Sequence, residues 1–436
     1  LDADTVAGNT DGKYYKLTAD ITLSGDFTIG QNRESKTSIG SASGANSFVT
    51  DVKPFEGVFD GNFHTVTYTY SDCYAYGGLF SYLEGAEVKN LIVKGTSTGA
   101  NLIFGSVAAV INNSVIDNCI SEVEITDARK YTAGIAAIVQ NSQITNTENR
   151  GCVVTRKDAA GGTDSDVSHG SINNHLKTLF STKNENTVQG GHSNVGGIAA
   201  VVLGDVTFEN VLNSGDVTNS ADNGCVSHTG GIVGIIMNSK NGDDPGGTVI
   251  FNYVGNTGDI TCGKTNRNNT NDRTGGIYGE LENSYYHCNV VWNTGTITSL
   301  KSDGTNHNQT GSIGGATGGT CATIDVNNPH ILYSKIGTVS GFTGNQCSIE
   351  FTGKGMDLPQ KIYYEGDAYV PANSSATKVD MKTDADFIEQ LGSGWQAVEG
   401  DYPILRHTLF GGGSGTELDP YIISSAEHMA QLDADT

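Results

Sequence analysis

A five-residue pattern decides the fold of this chain, and its clearest copies are Gly230-Gly231-Ile232-Val233-Gly234 and Gly275-Gly276-Ile277-Tyr278-Gly279. The pattern is roughly G-G-[ILV]-x-[GAS], and its seven copies begin at positions 77, 105, 133, 196, 230, 275 and 311. The first two intervals are both 28 residues, and the later ones are longer. A fixed core spacing with variable insertions is typical of stacked units whose loops grow outward. The pattern therefore predicts a repeat protein.

A second pattern, N-x-G-x-[VI], follows the first in four of the repeats. It begins at Asn149, Asn213, Asn256 and Asn293. Asparagine and glycine tolerate left-handed backbone, so Asn-x-Gly predicts a turn, and the valine, isoleucine and threonine beside it favour strands. Because one such unit cannot bury its apolar face alone, we expect the units to stack with backbone hydrogen bonds along the stack. The four asparagines are expected to form a side-chain ladder inside successive turns.

These patterns predict an all-β chain, a β-solenoid of about seven stacked repeats with a short capping helix region. The handedness of the solenoid does not follow from the sequence. We divide the chain into opening strands and a hairpin at 1–75, solenoid repeats at 76–350 with a polar insertion at 158–194, a C-terminal capping region at 351–408, and a Gly-rich linker with the opening strand and helix of a next unit at 409–436. Within the capping region, residues 384–391 predict a short helix, and the apolar residues of 395–405 are expected to cover the open end of the stack.

The charge of the chain argues against two classes of partner. It has 25 Lys and Arg against 48 Asp and Glu, a formal net charge of -23. Such a surface repels phosphate groups and anionic lipid, so neither nucleic acid nor a membrane surface is an expected partner. No run approaches 18 apolar residues, and no membrane-spanning helix is predicted.

The cysteines leave two interpretations open. They are spread at about one per repeat, at Cys73, Cys119, Cys152, Cys225, Cys262, Cys288, Cys321 and Cys347. None lies in a C-x-x-C pair, which argues against a zinc ribbon. They are either small buried side chains of the coils or rungs bridged by disulfides, which an exported location would permit.

The G-G-[IL]-x-G units followed by N-x-G-x-[VI] resemble the GLUG-motif repeats of bacterial cell-surface and adhesin-like proteins. Three further stretches resemble the opening strand, the closing phrase and the usual first line of such domains, and they are Gly57 through Val66, Trp395 through Leu405 and Gly412 through Ser424. The resemblance implies a stacked β architecture and export, but no particular activity. The chain departs from the family pattern where the second and third copies lose a glycine and where the insertion at 158–194 is long.

The chain repeats its own first five residues at its end. Leu1-Asp2-Ala3-Asp4-Thr5 is identical to Leu432-Asp433-Ala434-Asp435-Thr436. Ser424 and Glu427 form a capping box, so a helix is expected to run from Ser425 through Leu432 and to continue into residues equivalent to Val6. We therefore expect the chain to be one period, of 431 residues, of a tandem array of near-identical units.

Residues 411–436 are expected to join one unit to the next. The predicted inter-unit interface consists of Tyr421, Ile422, Ile423, Met429 and Leu432, which would form the first strand and helix of the following unit. A head-to-tail contact that does not close on itself gives a filament, and a donated strand supplies main-chain hydrogen bonds to an open edge. The glycine-rich run that begins at Gly411 would be the hinge.

No group of residues in the sequence predicts catalysis. Enzymes that cut acidic polysaccharides on parallel β-solenoids need clustered carboxylates on one face. Asp216 and Asp259 recur because the repeat recurs, and they are interpreted as turn residues; Asp243 and Asp244 lack the ligand spacing of a calcium loop. His287, beside Cys288, is interpreted as a strand residue, and the ten histidines show no paired metal spacing. The sequence therefore predicts a chain that is not an enzyme and that holds no cofactor or metal.

Two functions of different class remain. The favoured one is a structural or adhesive repeat unit of an extracellular bacterial surface protein or filament, joined head to tail and located at the cell surface, with a host or cell-surface glycan or protein as a further partner. The alternative is a secreted glycan-binding or glycan-active β-solenoid. A cleft that groups acidic, arginine and aromatic side chains on one face would favour the alternative.

Overall fold

The computed structural model describes residues 1–31, 36–38, 47–49, 52–71, 76–99, 103–128, 130–155, 193–220, 227–238, 246–262, 272–299, 309–318, 321–323, 330–335, 339–340, 347–348, 360–366 and 376–406. Most of the predicted insertion at 158–194 lies outside this part of the chain. So do residues 409–436, and with them the predicted interface of Tyr421, Ile422, Ile423, Met429 and Leu432.

The described residues form a β-solenoid, which confirms the predicted fold class. We number its coils 1 to 7 by their copies of the G-G pattern. A short strand that leads into each copy belongs to sheet 1, which comprises Tyr76–Gly77, Ile103–Gly105, Tyr131–Ala133, Ser193–Gly196, Ser227–Gly230, Arg273–Gly275, Gln309–Gly311 and, beyond coil 7, Cys347–Ser348. The strand that follows each copy belongs to sheet 2, which comprises Phe80–Glu84, Ala108–Asn112, Ala136–Gln140, Ala199–Leu203, Val233–Met237, Tyr278–Glu282 and Gly314–Gly318.

The remaining parallel strands belong to sheet 3. They are Tyr14–Lys16, Ile21–Thr22, Val58–Asp60, Thr65–Tyr70, Glu87–Lys89, Ile92–Ser97, Val115–Asp117, Ile120–Ala128, Gln143–Asn149, Val153–Thr155, Val206–Asn213, Val217–Asn219, Thr248–Asn256, Ile260–Cys262, Tyr285–Asn293, Ile297–Ser299, Ala322–Thr323, His330–Lys335, Val339–Ser340, Gln360–Glu365 and Thr377–Lys378. Two antiparallel pairs, Lys36–Ser38 with Ser47–Val49 and Trp395–Val398 with Asp401–Leu405, and two helices, Asp2–Val6 and Ala385–Leu391, complete the described elements.

The two sequence patterns pack against each other in the interior. The ladder asparagines Asn149, Asn213, Asn256 and Asn293 are fully buried, and the Nδ2 of each of the first three donates to the Oδ1 of the next, at 2.8, 2.7 and 2.7 Å. A Cβ on the second glycine of the matching G-G pattern would overlap the asparagine amide, and this holds for Gly134, Gly197, Gly231 and Gly276. The repeat therefore keeps glycine where the ladder passes, and the predicted ladder is confirmed.

Two hydrophobic clusters hold the coils together. The interior of the solenoid is filled by residues such as Phe80, Val139 and Phe251. A second cluster joins sheets 1 and 2, and it contains Tyr131 from sheet 1 with Ile138 from sheet 2. Apolar residues thus lie on both sides of sheet 2, so its strands are buried over nearly their whole length.

The segment 381–406 lies on the outer face of sheet 3, where its buried apolar residues pack with Val290 and Trp292. The helix Ala385–Leu391 begins where the Asp384 side chain accepts a hydrogen bond from the Phe387 N–H at 2.7 Å, close to the helix predicted at 384–391. Phe387 and Trp395 pack edge-on against Trp292, with ring centroids 6.0 and 5.5 Å away. None of the helices in the described residues is long and apolar enough to cross a membrane.

Candidate functional site

A groove opens at the amino-terminal end of the solenoid. Its cavity has a volume of about 520 Å³. The walls are mainly apolar and include Leu23, Phe27, Ile29, Val66 and Leu79. Several of these residues belong to or pack against the interior core, so the groove is an end of that core that the described residues leave uncovered.

Two strands at the rim of this groove are edge strands. Tyr14–Lys16 pairs with Val58–Asp60, and Ile21–Thr22 pairs with Thr65–Tyr70; in the described part of the chain each has this one partner. The other side of each strand presents backbone N–H and C=O groups that another strand can pair with.

The short helix Asp2–Val6 lies at the groove, where Leu1 and Asp2 are among the lining residues. Thr5 is buried, and Leu1 packs against the interior core. The Asp2 carboxylate accepts a hydrogen bond from the Gly30 N–H at 2.9 Å. The Asp4 carboxylate accepts from the Tyr15 hydroxyl at 2.9 Å and from the Lys13 ammonium at 3.3 Å. The helix is therefore held in one orientation, with Leu1 and Thr5 toward the core.

Asp60 is the buried carboxylate beside the groove. It accepts hydrogen bonds from the Tyr14 hydroxyl, from the Asn62 N–H at 2.8 Å and from the Asn90 amide at 3.1 Å. Burial raises the pKa of Asp60, but these hydrogen bonds and the charge of Lys16 outweigh burial, so its pKa lies below the ordinary value. The same bond to Asp60, with burial, raises the pKa of Tyr14 to about 12.

A second candidate site lies where the cluster between sheets 1 and 2 changes from apolar to ionisable. One position of sheet 2 carries Tyr82, Val110, Ile138, Val201 and Ile235 in coils 1 to 5, but Glu280 in coil 6. One position of sheet 1 carries Ile103 and Tyr131 in coils 2 and 3, then Asn194, His228 and Arg273 in coils 4 to 6. We call Asn194, His228, Arg273, Glu280 and Glu282 the coil-6 cluster.

The side chains of the coil-6 cluster form a connected network. His228 Nε2 lies 2.8 Å from Glu280 Oε2, and His228 Nδ1 lies 2.7 Å from Asn194 Oδ1. Arg273 forms an ion pair with the same oxygen of Glu280. Burial, with the positive charge of Arg273, lowers the pKa of His228 to about 3, so the imidazole is neutral at pH 7.

The two carboxylates of the coil-6 cluster differ in exposure. The Glu280 side chain is 2% exposed, and burial raises its pKa against the opposing effect of Arg273. Glu282 is half-buried, and burial and the charge of Glu280 both raise its pKa. Arg273, whose side chain is 22% exposed, and Glu282 are therefore the members of the cluster that reach the surface.

The residues weighed in the sequence have structural roles where they are described. The Asp216 carboxylate accepts from the Asp259 N–H, and the Asp259 carboxylate accepts from the Thr296 N–H, both at 2.8 Å. These aspartates thus cap the turn of the next coil, whereas Asp243 and Asp244 lie outside the described residues.

His287 and Cys288 lie in the strand Tyr285–Asn293, as the sequence predicts. Cys119, Cys152 and Cys288 form no disulfide. Among the residues that the structure describes, no three His, Cys, Asp or Glu side chains are grouped to hold a metal ion.

The coil-6 cluster was missed in the sequence because its members come from three coils. His228 and Glu280 are 52 positions apart, and no local motif joins them. An alignment of the seven repeats position by position carries the signal, since Glu280 stands where the first five copies have tyrosine, valine or isoleucine.

No protein-family model and no curated protein matches this chain. Among solved structures, the chain is similar to a crystal structure of a Bacteroides ovatus protein described as a "putative immunoglobulin A1 protease". The identity is 15% and the TM-score is 0.45, and the match covers 93% of this chain and 90% of that chain.

The expectation that this chain is not an enzyme does not stand, and it is withdrawn. The expectation rested on the lack of a local group of ionisable residues. Stacking brings His228, Arg273 and Glu280 together from separate coils, so the lack of a local motif does not exclude such a group. A match at this level assigns neither an activity nor a catalytic residue to this chain.

Proposed function

We propose that the chain is a structural or adhesive repeat unit of an extracellular bacterial surface protein, in which units are joined head to tail. The observation that carries the proposal is the amino-terminal groove, which the described residues leave uncovered and where apolar core and two strand edges meet. The terminal coils of a solenoid need a cover to be soluble, because each coil buries its apolar face only against its neighbours. A neighbouring unit in an array would supply that cover.

Three features of the sequence support the same proposal. The first five residues recur as the last five, as expected of a tandem array. The repeats also resemble the GLUG-motif repeats of bacterial surface proteins. The net charge of -23 suits a surface exposed to solvent and salt.

The size and location of the native protein test the proposal. An antibody raised against the solenoid should label intact cells of the source bacterium. An immunoblot should show a protein whose mass is a multiple of nearly 45.7 kDa, the mass of this chain. Limited proteolysis in the glycine-rich run at Gly411 should release a ladder of unit-sized fragments. A single unit confined to the cell interior would refute the proposal.

A second candidate function is binding of, or action on, a glycan at the coil-6 cluster. The geometry that favours it is a pair of carboxylates with raised pKa values beside a partly exposed arginine. A raised pKa favours the protonated form of a carboxylic acid, and that form can donate a proton to the oxygen of a glycosidic bond. Glu282 is the candidate donor because it is less buried than Glu280.

The second function is tested by assaying the chain against a panel of acidic and neutral polysaccharides, for binding and for new reducing ends. Glu282→Gln should abolish the effect, and Glu389→Gln, at an exposed position of the helix Ala385–Leu391, should retain it. If the unmodified chain neither binds nor cleaves any member of the panel, this candidate fails.

A further inference from the structure

We infer that the amino-terminal groove is the docking site for residues 420–431 of a preceding copy of this chain. The inference rests on the proposed head-to-tail array and names the segment that fills its interface. Three observations carry it: the repeated pentapeptide, the orientation of the helix Asp2–Val6, and the strand edges at the groove.

The repeated pentapeptide sets the register of the docked segment. Since Leu432 through Thr436 is identical to Leu1 through Thr5, residues 420–431 stand directly ahead of Leu1 when two units are joined at the shared five residues. Leu1 and Asp2 themselves line the groove. The segment therefore enters the groove at the point where the helix Asp2–Val6 begins.

The orientation of that helix predicts which side chain of the docked segment points inward. Leu1 packs against the core and Thr5 is buried, so these positions mark the inner face of the helix. Residues three, four and seven positions apart lie on one face of an α-helix. Met429 is three residues before Leu432 and seven before Thr436, which correspond to Leu1 and Thr5. A backward extension of the helix thus places Met429 over the apolar walls of the groove.

The strand edges at the groove fit the residues ahead of this helix. Tyr421-Ile422-Ile423 is an aromatic and β-branched run of the kind that forms strands. Ile21–Thr22 and Tyr14–Lys16 are each paired on one side in the described chain. A strand of the docked segment can therefore add to sheet 3 there. Adding it would cover Ile21 and Tyr14, which are 39% and 57% exposed.

Hydrogen exchange on an extended chain tests the inference. Residues 416–431 are placed as an extension directly ahead of Leu1 in the full chain. We expect the backbone amides of Tyr14–Lys16 and Ile21–Thr22 to exchange at least about tenfold more slowly than in the unextended chain, because pairing and burial protect amides from solvent. The matched control carries Ile422→Asp, Ile423→Asp and Met429→Asp in the extension alone, and it should give no protection.

Two results would overturn the inference. The first is the same exchange rate of the amides at the groove in the extended chain, in its control and in the unextended chain. The second is a groove that is already protected in the unextended chain, independently of concentration, and that opens when residues 411–436 are deleted, because the tail of the same chain would then fill it. The measurement uses one chain, so it is independent of the size and location of the native protein. If the groove is protected but the native protein is a single intracellular unit, the array is refuted and the docking is not. If the groove stays open but the native protein is an array at the cell surface, the docking is refuted and the array is not.

Discussion

The amino-terminal end and the outer flank of sheet 3 both carry large apolar side chains, but of the two only the flank is covered by a described segment of the chain. At the flank, Trp292 is fully buried because Phe387 and Trp395 from the segment 381–406 pack on it. At the amino-terminal end, Tyr14 is 57% exposed, and its strand has one partner in the described chain. This repeat fold therefore presents apolar surface where its stack ends, as at Tyr14, and where one coil departs from the repeat, as at Trp292. At Trp292 a segment of the same chain covers that surface.

The covered flank also carries a local adaptation of the repeat. Asn90, Asn118, Asn146 and Asn210 occupy one corner of successive coils with φ between 50° and 52° in three of them and 48° at Asn146. At the same corner, coils 5 and 6 have Tyr253 and Val290, with φ of 56° and 53°. A branched residue in left-handed backbone costs about 1–2 kcal/mol. Here Val290 is buried in the same hydrophobic cluster as Trp292 and Phe387, under the segment 381–406. Burial of Val290 in this cluster offsets the cost of its left-handed backbone conformation.

The largest expected effect is on the flank, from Trp292→Ala. Removing a buried aromatic side chain costs about 3–5 kcal/mol. The loss should appear first in the hairpin of Trp395–Val398 and Asp401–Leu405, which packs on Trp292, and native-state hydrogen exchange of its amides measures it. The matched change at the open end, Ile21→Ala, should cost less than about 1 kcal/mol because Ile21 is 39% exposed. Equal losses at the two sites would contradict the contrast between covered and open surface.

A smaller effect is expected from Gly255→Ala under the same cover. Gly255 pairs with Trp292 in the next coil, and a Cβ on Gly255 would overlap the indole ring. Overpacking of this kind costs about 1–3 kcal/mol, and the ring should shift away from Trp395. Tryptophan fluorescence with chemical denaturation measures both changes. Gly400→Ala is the control, since a Cβ there meets open space and only its φ of 73° adds strain. An unchanged fluorescence spectrum in Gly255→Ala would contradict the packing.

The sequence predicts the parts of the fold that the repeat itself encodes. The G-G pattern and the ladder asparagines recur at fixed spacing, so the sheets and the ladder between Asn149 and Asn293 follow from local residues. Trp292 and Glu280 are different, because each breaks the repeat at one coil and its neighbours come from distant positions. The sequence leads us to expect residues 395–405 over the end of the stack, whereas in the structure Trp395 packs on Trp292 at the flank. That placement depends on Trp292 pointing outward, which no periodicity in the chain reveals.

The smallest expected effect is a pH dependence at the open end, from Asp60. Its pKa is lowered in the folded chain, so Asp60 adds stability above its unfolded pKa, and this stability is lost as the pH falls through the folded pKa. Asp60→Asn should remove this part of the acid sensitivity, at a cost of about 1 kcal/mol at pH 7, the net value of a typical hydrogen bond. Tyr14→Phe removes one donor to the carboxylate, so the pKa of Asp60 should rise and the acid loss should begin at a higher pH. Hydrogen exchange of Val58–Asp60 and Tyr14–Lys16 between pH 3 and pH 7, corrected for intrinsic rates, follows both variants. If Asp60→Asn loses stability with falling pH as the unmodified chain does, the carboxylate does not support the open end. In that case the helix Asp2–Val6, with Asp4 held by Tyr15 and Lys13, is the remaining acid-sensitive contact described at the groove.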